Sequence, residues 1–279
     1  MLYNIIKRLL NLAVNLTYIA GGAIVLYFLW LLIRASTMDY FTIPSDSMYP
    51  TLKPGDKIIV NKLLMGARIY KDFHFEKEGQ ELNSIRMKGV RDIHRNDIVT
   101  FNYPYHHDQL NFVINNVFCK RVAALPGDSL GISNGHYYNN KYRMAIGLPE
   151  EQTKLSNTPD SLLYGRPFRL PPYDMGVSWT MKNYGPIYIP RKGDRIRITP
   201  LEAALYHRIL EWESGLTITI DSVNHIVWGN DMPYTEHSFQ HNYYFMAGDN
   251  VAYSNDSRHW GLVPEEYIIG IVSYILPQQ

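Results

Sequence analysis

Two serines, Ser45 and Ser47, lie in a short stretch that could carry nucleophilic chemistry, residues 43–52 (IPSDSMYPTL). A serine hydroxyl is a poor nucleophile at neutral pH, so a protein that uses one must place a base beside it. The residues around Ser47 do not form Gly-x-Ser-x-Gly, and the nucleophile elbow of the α/β-hydrolases is therefore not predicted. Taken alone, the stretch is equally well explained as a turn, and its chemistry depends on a base elsewhere in the chain.

Lys120 is the best candidate for that base, within residues 117–128 (VFCKRVAALPGD). In a strand, Phe118, Lys120 and Val122 share one face and Arg121 points to the other. A lysine between apolar residues on a buried face loses hydration, which favours the neutral amine and lowers its pKa, as a general base requires. The alternative is a lysine on an edge strand whose amine reaches into solvent, and for an isolated lysine that is the commoner case.

A third stretch, residues 248–264 (GDNVAYSNDSRHWGLVP), is rich in small polar side chains. These could orient an amine or tie a loop to its neighbours. The alternative is an Asn-, Asp- and Ser-rich loop that closes only on itself.

Composition limits the classes of protein to consider. The 279 residues carry a formal net charge of +1, which does not suggest nucleic-acid binding. The single cysteine, Cys119, excludes an internal disulfide but does not fix the compartment. On a strand it should face away from Lys120, and we interpret it as a small packed hydrophobe.

Residues 16–33 are apolar and uncharged, and as a helix they would rise about 27 Å, close to the thickness of a bilayer core. A cleavable signal peptide would have a shorter apolar run and an A-x-A-like site, whereas residues 35–38 (ASTM) make a poor cleavage site. We therefore expect a retained anchor at residues 16–34. Basic residues flank it on both sides, so the charge rule barely decides its orientation, with a slight preference for a cytoplasmic N-terminus.

The rest of the chain suggests short strands between turns that contain Gly-Asp or Asn-Asp. The predicted strands are residues 57–60, 98–101, 117–125, 195–198 and 243–246, an antiparallel, barrel-like or sandwich architecture.

One helix is predicted from Thr199, where a capping box precedes Pro200, to Gly215. Its apolar stripe, Leu201, Leu205, Ile209 and Trp212, should face the core. Residues 66–95 should form a long irregular connection or a loop over a membrane surface. Residues 131–241, rich in proline, should be an insertion with its own strands.

No metal or organic cofactor is predicted. Adjacent residues such as His106 and His107 point apart, and the other histidines show no HExxH or similar ligand spacing.

Taken together, four blocks of this sequence resemble the type I signal peptidases, membrane-anchored serine proteases with a Ser/Lys dyad. Residues 44–52 resemble the nucleophile block and residues 55–62 the strand after it. Residues 95–101 with 120–128 resemble the base block, and residues 248–250 with 254–264 the last block. The blocks cover under a third of the chain, but they follow the family's order and come after an anchor.

The resemblance implies the catalytic roles. Ser47 would be the nucleophile and Lys120 the general base. Ser45 would offer its hydroxyl to the oxyanion beside the backbone N–H of Ser47. Ser254 would hydrogen-bond to the Lys120 amine and orient it.

Supporting and substrate-binding roles follow from the same resemblance. Asp256 and Arg258 would form a salt bridge beneath the site, and Gly248 would belong to the same supporting block. Shallow pockets for small substrate side chains would be built partly by Ile43, Pro44 and Met48.

The resemblance also implies the architecture: a mainly β protein with an N-terminal transmembrane helix, an antiparallel β catalytic domain and an inserted α+β subdomain. Residues 1–15 would be the cytoplasmic N-terminus and residues 16–34 the anchor. Residues 40–130 and 242–276 would form the catalytic domain, and residues 131–241 the insertion. The catalytic domain would lie outside the cytoplasmic membrane.

Two departures from the family pattern affect loop contacts. Asn96 stands where the family often has glycine, and Val251, Ala252 and Tyr253 stand where it often has Arg-Asp-Asn. Neither changes the spacing of the matched residues.

The predicted activity is therefore an endopeptidase that removes signal peptides from exported precursor proteins through an acyl-enzyme on Ser47. We expect a monomer in the bacterial cytoplasmic (inner) membrane, with precursors and the lipid bilayer as partners and no nucleic acid. A second hypothesis for an enzyme is a self-cleaving Ser/Lys protease of the repressor type, but those proteases lack a membrane anchor. A catalytically inactive, membrane-anchored β module that binds or scaffolds exported chains is the alternative from another class, and it predicts loss of the nucleophile or the base.

Overall fold

The computed structural model describes residues 2–71, 83–163, 170–172 and 175–278. Its helices are α1 (Leu2–Thr37), α2 (Pro149–Asn157), α3 (Asp160–Leu163), α4 (Pro200–Ser214) and α5 (Ser257–Trp260). Its strands are β1 (Met38–Thr42), β2 (Lys57–Asn61), β3 (Arg68–Tyr70), β4 (Ser84–Arg86), β5 (Ile98–Asn102), β6 (Tyr105–His106), β7 (Gln109–Leu110), β8 (Val117–Ala124), β9 (Ser129–Ser133), β10 (His136–Asn139), β11 (Tyr184–Tyr188), β12 (Arg195–Arg197), β13 (Ile218–Asp221), β14 (Ile226–Gly229), β15 (Met232–Pro233), β16 (Glu236–Ser238), β17 (Tyr243–Ala247), β18 (Val263–Pro264) and β19 (Ile268–Leu276).

The first helix, α1, is 36 residues long. Within the described residues it is the one helix long and apolar enough to cross a membrane, by length and composition, over Ile5–Leu31, with a mean hydropathy of 1.8 and no residue of that window buried. The predicted anchor at residues 16–34 thus lies inside a longer helix. Apolar residues continue on the N-terminal side of that anchor, so the helix runs through most of the predicted segment 1–15 without a break.

The predicted mainly β, antiparallel fold is confirmed. A seven-stranded sheet has the order β1-β2-β19-β5-β8-β17-β18, and its neighbouring strands pair antiparallel. Four of the five predicted strands are β2, β5, β8 and β17 of this sheet. The fifth, β12, pairs with β16 in a separate two-stranded sheet.

Four of the turns that contain Gly-Asp or Asn-Asp share one hydrogen-bonding pattern. In each, the aspartate carboxylate accepts the backbone N–H three residues earlier: Lys53 to Asp56, His94 to Asp97, Leu125 to Asp128 and Arg191 to Asp194, at 2.8–2.9 Å. The residue before each aspartate has a positive φ, which glycine adopts without strain. Asn96 holds that position with φ 71°. Asparagine is among the few other residues that tolerate this region, so the first departure from the family pattern preserves the turn.

Helix α4 confirms the predicted capping box. Thr199 and Glu202 form both of its bonds, and Gly215 ends the helix with φ 68°. Its buried residues are Ala203, Tyr206, Ile209 and Leu210, whereas Leu205 and Trp212 are only partly buried against the core. The face that packs inward is therefore rotated from the predicted stripe, because Tyr206 contributes a large apolar ring that packs edge-on against Phe239.

The irregular connection predicted for residues 66–95 is wrong for part of its length, because β3 and β4 pair as a short ribbon. Arg68 and Arg86 attach this ribbon to the short helical turn before β19 and to the start of β19, by donating to the carbonyls of Glu266, Glu265 and Ile268. Three-residue strands flanked by charge give too short a pattern to recognise in the sequence. Residues 72–82 of the connection lie outside the described residues.

One hydrophobic core joins the main sheet to the region predicted as an insertion. Phe101, Val122 and Tyr243 of the sheet belong to the same buried cluster as Ile132 and Tyr206. A smaller cluster, Ile43, Met48, Leu52, Ile58 and Val60, lies under the nucleophile turn, and we call it the small cluster. The division into catalytic domain and insertion stays a prediction.

Candidate active site

The structure brings the two principal site residues into direct contact. Lys120 Nζ lies 2.6 Å from Ser47 Oγ, although 73 residues separate them in the chain. Ser47 is held in a turn in which Tyr49 N donates to Asp46 O at 2.9 Å. Met48 and Leu52 fix this turn to the body of the protein, because both are buried in the small cluster.

Lys120 is buried, with 4% of its surface exposed. Its amine lies 5.8 Å from the centre of the Phe118 ring and also donates to the backbone carbonyl of Cys119 at 3.2 Å. Burial lowers the pKa of the Lys120 amine, and the negative charge of Asp256 opposes that change only in part. The neutral amine is therefore more accessible here than in a lysine at the surface.

The two remaining predicted catalytic serines lie near the dyad in different environments. Ser45 is exposed, and its hydroxyl lies 3.4 Å from Ser47 Oγ. Ser254 is buried, and its hydroxyl has no hydrogen-bond partner within the described part of the chain. The predicted bond from Ser254 to Lys120 is thus not formed here, and the orienting role stays a prediction.

Gly248 leaves the space in which these groups meet. A Cβ at this position would overlap Ser254 Oγ and would lie 2.5 Å from the carbonyl oxygen of Ser47. Such contacts are shorter than real Cβ contacts, so a side chain here would displace the nucleophile turn or Ser254. The absence of a side chain at Gly248 therefore lets the last block pack directly on the turn that carries Ser47.

Asp256 and Arg258 form a fully buried two-point ion pair. Arg258 Nε donates to one carboxylate oxygen of Asp256 and Nη2 to the other, each at 2.8 Å. Burial raises the pKa of the Asp256 carboxyl, but the adjacent guanidinium outweighs it and the pKa is lowered overall. The same groups bind backbone: Gly248 N donates to Asp256 at 3.0 Å and Arg258 donates to Val251 O at 2.8 Å. The pair thereby fixes the loop that packs on Ser47.

This geometry explains why the second departure from the family pattern is tolerated. Val251 contributes its carbonyl to Arg258, and Tyr253 N donates to Asn250 O at 2.9 Å. Tyr253 itself is exposed. These contacts use backbone atoms, so they do not depend on which side chains occupy residues 251–253.

A second buried ion pair was not predicted from the sequence. Arg121 donates to both carboxylate oxygens of Asp249, at 2.7 and 2.6 Å, and Thr51 Oγ1 donates to the same carboxylate. Arg121 also donates to Asn96 O at 2.8 Å. These bonds connect the nucleophile turn, the base strand and the last block. The signal was in the sequence: Arg121 faces away from Lys120 on β8, and a charge on that side needs a partner.

Asn250 completes the attachment of the last block to the nucleophile turn. Its backbone N–H donates to Ser47 O at 3.2 Å, and its side-chain amide donates to Asp46 O at 3.1 Å. Asn250 thus binds the carbonyls of both Asp46 and Ser47, which limits movement of the nucleophile.

A groove of about 470 Å³ begins beside the dyad. Ile43 and Pro44 line it from the nucleophile side, and Val117, Phe118 and Cys119 line it from β8. Met48, which was predicted to contribute to a substrate pocket, is instead 1% exposed and packs within the small cluster. It supports the groove from below, because Ile43 and Ile58 belong to both the groove wall and that cluster.

Among the residues that the structure describes, no group of three or more His, Cys, Asp or Glu side chains could hold a metal ion. His106 Nε2 lies 3.0 Å from the carbonyl of Tyr103, a local contact rather than a shared ligand site with His107.

Comparison with known proteins gives a match to one family model and to several curated relatives. The family model described as "Signal peptidase, peptidase S26" matches residues 15–276. The Signal peptidase I of Buchnera aphidicola subsp. Schizaphis graminum (strain Sg) is 28% identical over 252 residues, 88% of this chain and 69% of that protein. The Signal peptidase I of Aquifex aeolicus (strain VF5) is 27% identical over 240 residues, 86% of this chain and 76% of that protein.

A solved structure was also matched, the crystal structure of a signal peptidase I from Enterococcus faecalis V583. It is 14% identical, covers 66% of this chain and 100% of that chain, and has a TM-score of 0.31. The match is too distant in structure to support an argument about the site.

Replacing Asp256 by Asn should destabilise the protein by about 3–5 kcal/mol, because Arg258 would remain buried without its counter-charge. Glu236→Gln is the matched control, since Glu236 pairs with Arg195 at the surface, with side chains 44% and 70% exposed. It should change stability by less than about 1 kcal/mol. Denaturant unfolding of the full chain in detergent measures both. Equal effects of the two variants would show that the buried pair does not hold the fold together.

Proposed function

The chain belongs to the signal peptidase family, peptidase S26, and from this premise we propose that it cleaves signal peptides from exported precursor proteins with a Ser47/Lys120 dyad. The observation that carries the proposal is the 2.6 Å contact between Lys120 Nζ and Ser47 Oγ. This distance suits transfer of a proton between the two groups.

The reaction begins with Lys120 as a neutral amine. It takes the Ser47 proton while Ser47 Oγ attacks the carbonyl carbon of the scissile peptide bond, giving a tetrahedral intermediate. Lys120 then donates that proton to the leaving amine, and the acyl chain remains as an ester on Ser47. A water molecule gives a proton to Lys120 and attacks the ester, and Lys120 returns the proton to Ser47 Oγ as the acid product leaves.

Stabilisation of the oxyanion is assigned to two donors on the nucleophile turn. The exposed Ser45 hydroxyl, 3.4 Å from Ser47 Oγ, is placed to donate to an oxygen that develops next to the attacked carbon. The Ser47 backbone N–H is the second donor. Preorganised donors of this kind stabilise the charge where it develops.

The substrate is proposed to bind as an extended strand in the groove. On the side of β17, strand β8 is paired only from Arg121 to Ala124, so among the described residues Val117–Lys120 have no strand partner there. β1 is an edge strand of the sheet. A peptide laid between these free edges gains main-chain hydrogen bonds, and its alternate side chains enter the groove.

The N-terminal helix is proposed to anchor the protein as a single span in the bacterial inner membrane. None of its apolar window is buried in the structure, so a bilayer would supply the apolar surroundings that the rest of the chain does not. The remainder of the chain would lie on the extracytoplasmic side, where exported precursors emerge.

Ser47→Ala should abolish cleavage of an exported precursor by the full-length protein in detergent, because no other group can form the acyl-enzyme. Ser45→Ala should be milder, with a loss of about 10²–10³ in rate, since the backbone donor remains. Ser273→Ala, at an exposed position of β19, is the matched control and should cleave normally. Conversion of precursor to mature protein on gels is the readout. Cleavage by Ser47→Ala would overturn the assignment, and inactivity of the wild type would favour a binding module instead.

Lys120→Arg should be as inactive as Lys120→Ala. The guanidinium keeps the positive charge but does not lose its proton in the accessible pH range, so it cannot act as a base. The same precursor assay compares the two variants at equal protein concentration. The denaturant concentration at the midpoint of unfolding checks that both variants are folded. Substantial activity in Lys120→Arg would mean that Lys120 acts only through its charge and that the base lies elsewhere.

The orientation of the protein predicts a protection pattern. Protease added to sealed spheroplasts should digest the region after about residue 38, because that region should lie outside the cytoplasm. An antibody against the C-terminal region follows the digestion, and a cytoplasmic protein serves as the control for intact membranes. Full protection of the C-terminal region would reverse the proposed topology.

A further inference from the structure

Thr100, on strand β5, has a buried side chain whose hydrogen-bonding capacity is unused. The residue is 0% exposed, and its hydroxyl has no hydrogen-bond partner among the described residues. Buried hydroxyls in folded proteins are nearly always paired, so an unpaired one calls for an explanation. Asn102, two residues along the same strand, shows the ordinary case. Its side chain accepts from Arg68 and donates to the carbonyls of Val113 and Ile114.

The Thr100 side chain lies on the wall of the groove beside the dyad. Thr100 is directly opposite Cys119 in the antiparallel pair of β5 and β8. Side chains of directly opposed residues lie on the same face of a sheet, and both residues line the groove. The side chains of Cys119 and Lys120 point to opposite faces of β8, but the Lys120 amine donates to the Cys119 carbonyl at 3.2 Å, so this part of the wall lies close to the catalytic amine.

The groove wall that contains Thr100 combines apolar residues with charged residues that already have partners: Lys62 pairs with Asp39 at 2.8 Å, and Arg68 donates to Asn102 at 2.8 Å. Phe41, Ile43 and Ile58 line the same groove. Burial raises the pKa of the Cys119 thiol to about 12, so the sulfur carries its proton and no charge near neutral pH. The Thr100 hydroxyl, which has no partner among the residues that the structure describes, can recognise a small neutral hydrogen-bonding group of the substrate.

Resting on the proposed function, we propose that Thr100 is a specificity-determining residue: its hydroxyl makes this part of the groove a subsite that prefers a serine or threonine side chain of the substrate to alanine or valine. A substrate hydroxyl that reaches Thr100 gains a hydrogen bond, and the buried group on the enzyme gains its missing partner. An apolar side chain of the same size fills the space but leaves Thr100 unpaired.

The size of the preference follows from the net value of one neutral hydrogen bond. Such a bond changes binding by about two- to tenfold, so kcat/KM for the hydroxyl-bearing substrate should exceed that for its apolar counterpart by this factor. The preference should appear at a single substrate position, because side chains on one face of an extended peptide are about 6.6 Å apart and one hydroxyl can reach only one of them.

The test uses the full-length protein in detergent and a set of precursors with paired substitutions. Ser/Ala and Thr/Val pairs are placed at each of the three residues on either side of the cleaved bond, and kcat/KM is measured for each. Wild type should prefer the hydroxyl at one position by about two- to tenfold. Thr100→Val, which keeps the shape, should bring that ratio to about one, and Thr100→Ser should restore most of it. Thr219→Val, on the exposed side of β13, is the matched control and should leave the ratio unchanged.

Two results would overturn the proposal while the proposed function stands: no position shows a hydroxyl preference, or the preference survives in Thr100→Val. If Ser47-dependent cleavage of the parent precursor is absent, the proposed function itself fails, and the two failures are thereby distinguished. If Thr100→Val folds poorly, Thr100→Ser against Thr100→Cys gives the same comparison with smaller changes.

Discussion

The site depends on one physical constraint: a lysine must be removed from water far enough to lose its proton, yet remain in contact with a serine hydroxyl. Lys120 meets it because β8 is a central strand that buries the side chain while its amine reaches Ser47 at 2.6 Å. Desolvation is the largest influence on the Lys120 pKa, and it acts in the direction that a general base needs. The surrounding structure excludes water from the Lys120 side chain and holds Ser47 in position.

Two buried ion pairs keep that arrangement fixed, and although their carboxylates act to raise the Lys120 pKa, burial of the amine lowers it by more. Arg121 neutralises Asp249, and Arg258 neutralises Asp256. The Arg121–Asp249 pair also binds the hydroxyl of Thr51, and the Asp256–Arg258 pair also binds backbone of the last block. The nucleophile turn, the base strand and the last block are therefore connected to one another. Buried pairs of this kind are costly to break but do not necessarily add net stability. In this protein their clearest contribution is to the geometry of the site.

The sequence predicted those features that depend on local pattern. The strands followed from short β-branched runs between Gly-Asp turns, and α4 followed from Thr199, Glu202 and Gly215. The proximity of Ser47 and Lys120 came from the resemblance, because no local pattern links residues so far apart. The Arg121–Asp249 pair, the ribbon of β3 and β4, and the unpaired hydroxyl of Thr100 were missed, since each depends on which strands become neighbours. The sequence also predicted Met48 as a pocket residue, because an apolar residue type does not show whether the side chain lines a pocket or packs in the core.

The most direct test of this account is a measurement of the Lys120 pKa itself. Lysine side chains labelled for NMR can be titrated in the full-length protein in detergent, with the Lys120 signal assigned by its loss in Lys120→Met. We expect a Lys120 pKa below the ordinary lysine value of about 10.4, so that the neutral amine becomes available as pH rises through that lower value. A pKa at or above the ordinary value would mean that the amine stays charged at working pH, and it would contradict Lys120 as the base.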